Sequence, residues 1–94
     1  MYRQGDLLFI GIDEPEDEDK VSRRTTKDIL HSSLTGHSHT LTDGFVWETD
    51  SPGRFYVQVP NGAQVVHQEH RPIPLEPGWY EVRRQREVNG YVAD

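Results

Sequence analysis

The stretch "FVWETDSPGRFYVQVPNGAQVVH", residues 45–67, reads as three short strands separated by two turns. Its central part, "RFYVQV" (54–59), alternates. Phe55, Val57 and Val59 share one face and Tyr56 and Gln58 the other, the period of two that a half-buried strand requires. "DSPG" (50–53) and "PNG" (60–62) bracket it. Each joins a proline, which has no N–H to donate, to a glycine, which accepts positive φ, so the chain turns there. "FVWE" and "AQVVH" are the strands on either side.

The same pattern continues outward. "TDG" (42–44) is a hairpin signal. "DILHSSLTGHSHTL" (28–41) is one strand, or two with a kink at Ser32–Ser33. "DLLFIGI" (6–12) is an apolar run bounded by Gly5, and "WYEVRRQREV" (79–88) is a long final strand. "RPIPLEPG" (71–78), with three prolines, predicts an extended loop. "DEPEDEDK" (13–20) and the basic "SRRTTK" (22–27) predict an exposed charged loop over 13–28, and "NGYVAD" (89–94) a tail. No window carries helical periodicity. Short strands with frequent turns predict one all-β domain over 1–94, a small barrel or sandwich of about six to eight strands.

Composition narrows the chemistry. There is no cysteine in the 94 residues, so disulfides and thiolate metal sites are excluded, and a transition metal would be held by His, Asp, Glu or water. A hydrophobic share of 33% predicts a thin core. With the long apolar and aromatic last strand, it suggests an exposed edge or face covered by a second chain, a dimer or higher. The formal charge of −6 argues against nucleic acid as a bulk partner. Met1 reads as the start, and "LLFI" (7–10) is too short for a signal peptide or a membrane span, which predicts a cytoplasmic protein.

Four of the five histidines fall in two tight groups. In "GHSHTL" (36–41), positions i and i+2 of a strand share a face, so His37 and His39 point the same way beside Thr35 and Leu41. In "VVHQEH" (65–70), Val65, His67 and Glu69 share a face if the strand runs straight, and His70 joins them only if the chain bends before Arg71-Pro72. A lone His-x-His often marks a solvated face; the second group shifts the balance toward a metal. Neutral imidazole suits zinc, iron, copper and nickel. The expected cofactor is a divalent metal, zinc first, then iron, manganese or nickel, held by His37, His39 and one or both of His67 and His70. Three imidazoles and one water would leave a reactive position, with the pKa of that water lowered to about 7. Hydration or hydrolysis of a small-molecule substrate would follow, with Glu69 as general base or orienting group. An iron oxygenase is the redox variant. The rival class is a non-enzymatic module with a structural metal or none, such as a phage-encoded inhibitor of a host protein.

Other residues take blander readings. His31 reads as a surface or edge residue. Trp47, Trp79, Tyr56 and Phe55 read as core. Arg84 and Arg86 share a face with Tyr80 and Val82, either as an anion-binding pair or as a salt-bridged strand end across from Glu81 and Glu87. Asp6 reads as a turn or edge residue, or as the partner of a buried arginine. Ser38 points away from the histidines beside it, and there is no glycine-rich phosphate loop.

"YRQGDLLFI" (2–10), "SSLTGHSH" (32–39), "HQEHRPIPLEPGWYEVRRQREV" (67–88) and the terminal "VAD" resemble a widespread group of small uncharacterised phage and bacterial proteins. Its pattern runs RQGD…TGHxH…HxEHxPIxLxPGxYEVRRQRE. The resemblance implies that His37, His39, His67, Glu69 and His70 belong to the group's pattern, and it carries no activity. This chain departs from the group in "SSL" (32–34) for "GEV", in Val88 for a tyrosine, and in a shorter tail. A weaker resemblance is to the metal-binding barrels called cupins. "HSHTLTDGFVWE" (37–48) offers His37, His39 and Glu48, and "PNGAQVVH" (60–67) offers Pro60, Gly62 and His67, at a longer spacing than the cupin second motif.

Overall fold

A computed structural model describes residues 1–87, 90 and 91, with side chains through Gln85. The strands run β1 (Tyr2–Gln4), β2 (Leu7–Ile12), then a 3-10 turn at Asp17–Asp19, β3 (Ser22–Arg23), β4 (Asp28–His31), β5 (Ser38–Leu41) and β6 (Phe45–Glu48). They continue as β7 (Arg54–Val59), β8 (Ala63–Val66), β9 (Ile73–Leu75), β10 (Gly78–Arg84), β11 (Arg86–Glu87) and β12 (Gly90–Tyr91). Among the described residues no helix is long and apolar enough to cross a membrane.

The architecture is all-β and sandwich-like. One sheet has the order β1-β2-β10-β7-β6-β3, the other β4-β5-β8-β9, and β11-β12 form a short ribbon of their own. Both larger sheets are antiparallel and keep open edges, so the barrel alternative does not hold. The core lies between them. Leu7, Phe9, Val46, Phe55, Val57, Val59, Tyr80 and Val82 come from the larger sheet, and Ile29, Leu41, Val65 and Leu75 from the smaller. This is the alternation expected for "RFYVQV", although Tyr56 on the opposite face is buried too.

Several elements differ from the sequence-based expectation. Of the two readings of "DILHSSLTGHSHTL", the two-strand one holds, but as β4 and β5 paired antiparallel with His31 opposite Ser38 rather than as a kinked run. "RPIPLEPG" contains β9, an outer strand whose Pro74 lies opposite Gln64. An edge accommodates a proline because no neighbour needs its missing N–H. The segment 13–28 is not all exposed loop: β3 pairs with β6, and the Lys20 ammonium lies 5.3 Å and 5.0 Å from the Trp47 and Trp79 rings. The last long strand, expected to present an edge or a face, is β10, and the edge reading does not hold because β2 and β7 flank it on both sides. Both of its edges are paired, although Arg83 stays exposed. Of the expected tail 89–94, Gly90 and Tyr91 pair with β11, and the other residues lie outside the described ones.

Two glycines are required by geometry. Gly44, at φ 98°, ends the "TDG" turn so close to β7 that a Cβ there would lie 2.3 Å from the Gln58 carbonyl oxygen. Gly5, at φ 57°, takes the first place of the two-residue loop between β1 and β2, where Gln4 pairs with Leu7. That is the position a type II′ hairpin reserves for glycine.

Candidate metal centre

The Gly5-Asp6 loop builds the floor of the site. Tyr2 and Gln4 alternate inward along β1, and the tight turn brings Asp6 into the interior as well. Gln4 is 2% exposed and Asp6 is fully buried. On β5 the alternation puts His39 and Leu41 inward and Ser38 and Thr40 outward. His39, 1% exposed, therefore meets Gln4 and Asp6 inside the sandwich. These are three of the four buried polar or charged residues among those described.

Hydrogen bonds fix which nitrogen of His39 carries its proton. Gln4 Nε2 donates to the carbonyl oxygens of Val65 and Arg71, both at 2.9 Å. Its amide oxygen must then accept from His39 Nδ1 at 2.9 Å, so Nδ1 is protonated and Nε2 is the nitrogen without a proton in the neutral ring. His39 Nε2 lies 3.6 Å from Asp6 Oδ1. On the far side of the carboxylate, Arg84 Nε donates to Oδ2 at 2.8 Å and the Gln85 amide donates to the Asp6 carbonyl oxygen at 2.7 Å.

Above this floor the other histidines gather. β8 ends at Val66 and the chain bends through 68–70, so His67 and His70 do come to one side. The His67 ring centroid lies 4.4 Å from that of His39, 4.6 Å from His70 and 5.3 Å from His37; His39 and His70 are 6.3 Å apart. His37 precedes β5 rather than lying within it, and its Nε2 is 3.7 Å from Glu69 Oε1. His37 Nδ1 and His70 Nε2 are buried atoms without a hydrogen bond. The site deepens from an exposed rim, where the Glu69 side chain is 64% exposed, to the enclosed His39. Beside His67 a surface cleft of about 260 Å³ is lined by Ser38, Thr40, Val66 and Gln68.

Among the described residues no three His, Asp or Glu side chains already stand arranged to hold a metal ion. His67 Nδ1 accepts the Glu69 amide at 3.0 Å, which places the proton of a neutral His67 on Nε2. That hydrogen bond would have to open before Nε2 could ligate.

All four expected ligands, His37, His39, His67 and His70, are thus in one neighbourhood, with Glu69 at the rim. Arg84 sits behind the site and holds Asp6; the side chain of Arg86 lies outside the described residues. Glu48 pairs with Arg24 instead of joining the histidines, and Pro60 and Gly62 belong to the β7–β8 turn. His31 is exposed, with Nδ1 2.6 Å from Ser38 Oγ. Gln4 went unread in the sequence. Its signal is the in-phase alternation of Tyr2 and Gln4 just before a glycine-led two-residue loop, which directs a polar side chain inward.

The chain belongs to the family described as a domain of unknown function (DUF8820), whose model matches residues 3–85. No curated protein and no solved structure matches it.

Proposed function

We propose that this end of the sandwich is a divalent-metal centre built on His39, with His37, His67 and His70 as its other imidazoles. The observation that carries the reading is the spacing of the rings. Two imidazoles on one tetrahedral ion, with metal–nitrogen distances near 2 Å, have centroids roughly 5 Å apart. The His67 contacts span 4.4–5.3 Å. Gln4 supplies the orienting hydrogen bond that a ligating histidine normally makes through its other nitrogen. His70 Nε2 and His37 Nδ1 are buried polar atoms still lacking a partner, and such atoms are costly without one.

Zinc is the first choice of metal, with iron, manganese and nickel behind it. The exposed rim at His37 and Glu69 is the side from which water and a small substrate reach the ion. Activated water is then the simplest chemistry, hydration or hydrolysis, with Glu69 placed to take or direct a proton.

The test is elemental analysis of untagged protein, followed by calorimetric titration with each metal. About one ion per chain is expected, bound with release of protons that grows as pH falls, because any imidazolium must lose a proton before it can ligate. Preparations free of metal, with no change in melting temperature on adding zinc, iron, manganese or nickel, would overturn the reading.

A further inference from the structure

We infer that Asp6 is a protein ligand of this centre, binding the metal through Oδ1. The inference rests on the metal reading above and adds an oxygen donor to a set so far made of imidazoles.

Asp6 is fully buried, yet its Oδ1 makes no hydrogen bond. A carboxylate oxygen taken out of water without a donor is strongly unfavourable. His39 Nε2 lies 3.6 Å from it, beyond hydrogen-bond length. Gln4 holds the imidazole proton on Nδ1, so in the neutral ring two lone pairs face each other across that gap. A cation between them removes the conflict. Two ligands at about 2.1 Å from a tetrahedral ion are themselves roughly 3.4 Å apart, close to the separation seen.

The other half of the carboxylate is already fastened. Arg84 Nε donates to Oδ2 at 2.8 Å, and the backbone of Asp6 is pinned by the Gln85 amide. A ligating carboxylate is ordinarily oriented by such an outer hydrogen bond. Arg84, read from the sequence as either an anion binder or a salt-bridged strand end, is salt-bridged to Asp6 and acts on the centre through it. The Gly5 turn makes the arrangement possible, since it reverses the chain within two residues and leaves Gln4 and Asp6 on either side of the same imidazole.

The experiment uses the full chain and Co²⁺ and Zn²⁺ as probes, on wild type and Asp6→Asn. Asparagine keeps the shape and an oxygen for Arg84 but removes the charge. Asp6→Asn should weaken both metals by more than ~100-fold, beyond the roughly 10–100-fold that losing a merely supporting group costs. The visible bands of bound Co²⁺ should also shift, as a change in its donor atoms requires. Zn²⁺ added to wild type should move the Asp6 carboxylate ¹³C resonance, a reading that stands even if the variant does not fold. Wild type that binds Co²⁺, with an unmoved Asp6 resonance and an Asp6→Asn variant of equal affinity and spectrum, would show a paired imidazolium and aspartate and overturn the inference alone. Wild type that binds neither metal would overturn the metal reading itself.

Discussion

Two carboxylates among the described residues are buried, and each meets arginine. Glu81 lies on the outer face of the larger sheet, where Tyr56 is its β7 neighbour, and both of its oxygens are occupied. Arg83 donates to Oε1, Arg54 Nε lies 3.4 Å from the same oxygen, and Arg54 Nη2 lies 3.5 Å from Oε2. Asp6 lies on the inner side, and only Oδ2 is so occupied. A carboxylate with both oxygens engaged by cations on its own and a neighbouring strand is a strut: it needs nothing else. A carboxylate with one oxygen fastened and the other aimed at an imidazole is half of a site. The difference is one of partners, since both residues are buried acids next to arginine.

Exchanging one side chain at a time should break the comparison in graded steps. The largest effect is expected for His39→Ala, which removes the imidazole touching both Gln4 and Asp6. Metal affinity should fall by more than ~100-fold, measured by competition with a chromophoric chelator. If the metal also holds the fold, the same variant should melt well below wild type, and chelator should lower wild type to match it.

Next is Gln4→Leu. It keeps bulk but leaves the Val65 and Arg71 carbonyl oxygens without their donor and His39 without its orienting acceptor. Affinity should drop by about 10–100-fold, with a stability loss of about 1–3 kcal/mol from the stranded groups. Unchanged metal affinity in this variant would mean that Gln4 only closes the β1 edge.

The smallest effect is expected for Glu81→Gln, which should leave metal affinity untouched and lower stability by about 1–2 kcal/mol, the range for a partly solvated charged pair. Its pH dependence sharpens the contrast. Burial works to raise the Glu81 carboxyl, but hydrogen bonds and charge from Arg83 and Arg54 outweigh it and hold the group below its ordinary value of 4.5. Stability from Glu81 is therefore fully present above that value and is lost as pH falls through the lowered folded one. Denaturant melts between neutral and acid pH should show a shallower acid-side loss in Glu81→Gln than in wild type.

Much of this was legible in the chain alone, where the physics is local. Alternation in "RFYVQV" and the turns at 42–44, 50–53 and 60–62 depend on backbone periodicity and on proline and glycine conformations, which act within a few residues. The bend before Arg71-Pro72 was foreseen as the condition for His70 to join, and the chain does bend there. What was missed is non-local. β9 hides among prolines because its pairing with β8 cannot be read from its own composition. β10 looked like an edge because nothing in "WYEVRRQREV" shows that β2, from the other end of the chain, lies against it.

The sequence by itself determined an all-β domain, the positions of most strands, and two histidine groups each able to present imidazoles. Only the tertiary structure decided that the groups meet, that Gln4 selects the His39 nitrogen, and that Asp6 faces it. The hydrogen bonds that hold Gln4 and Asp6 in place join residues 61 and 78 positions apart, Gln4 with Val65 and Asp6 with Arg84. The reason is physical. A strand's period says which face a side chain takes, but the partner across the core is set by the packing of the two sheets, and a buried polar atom finds its partner only there.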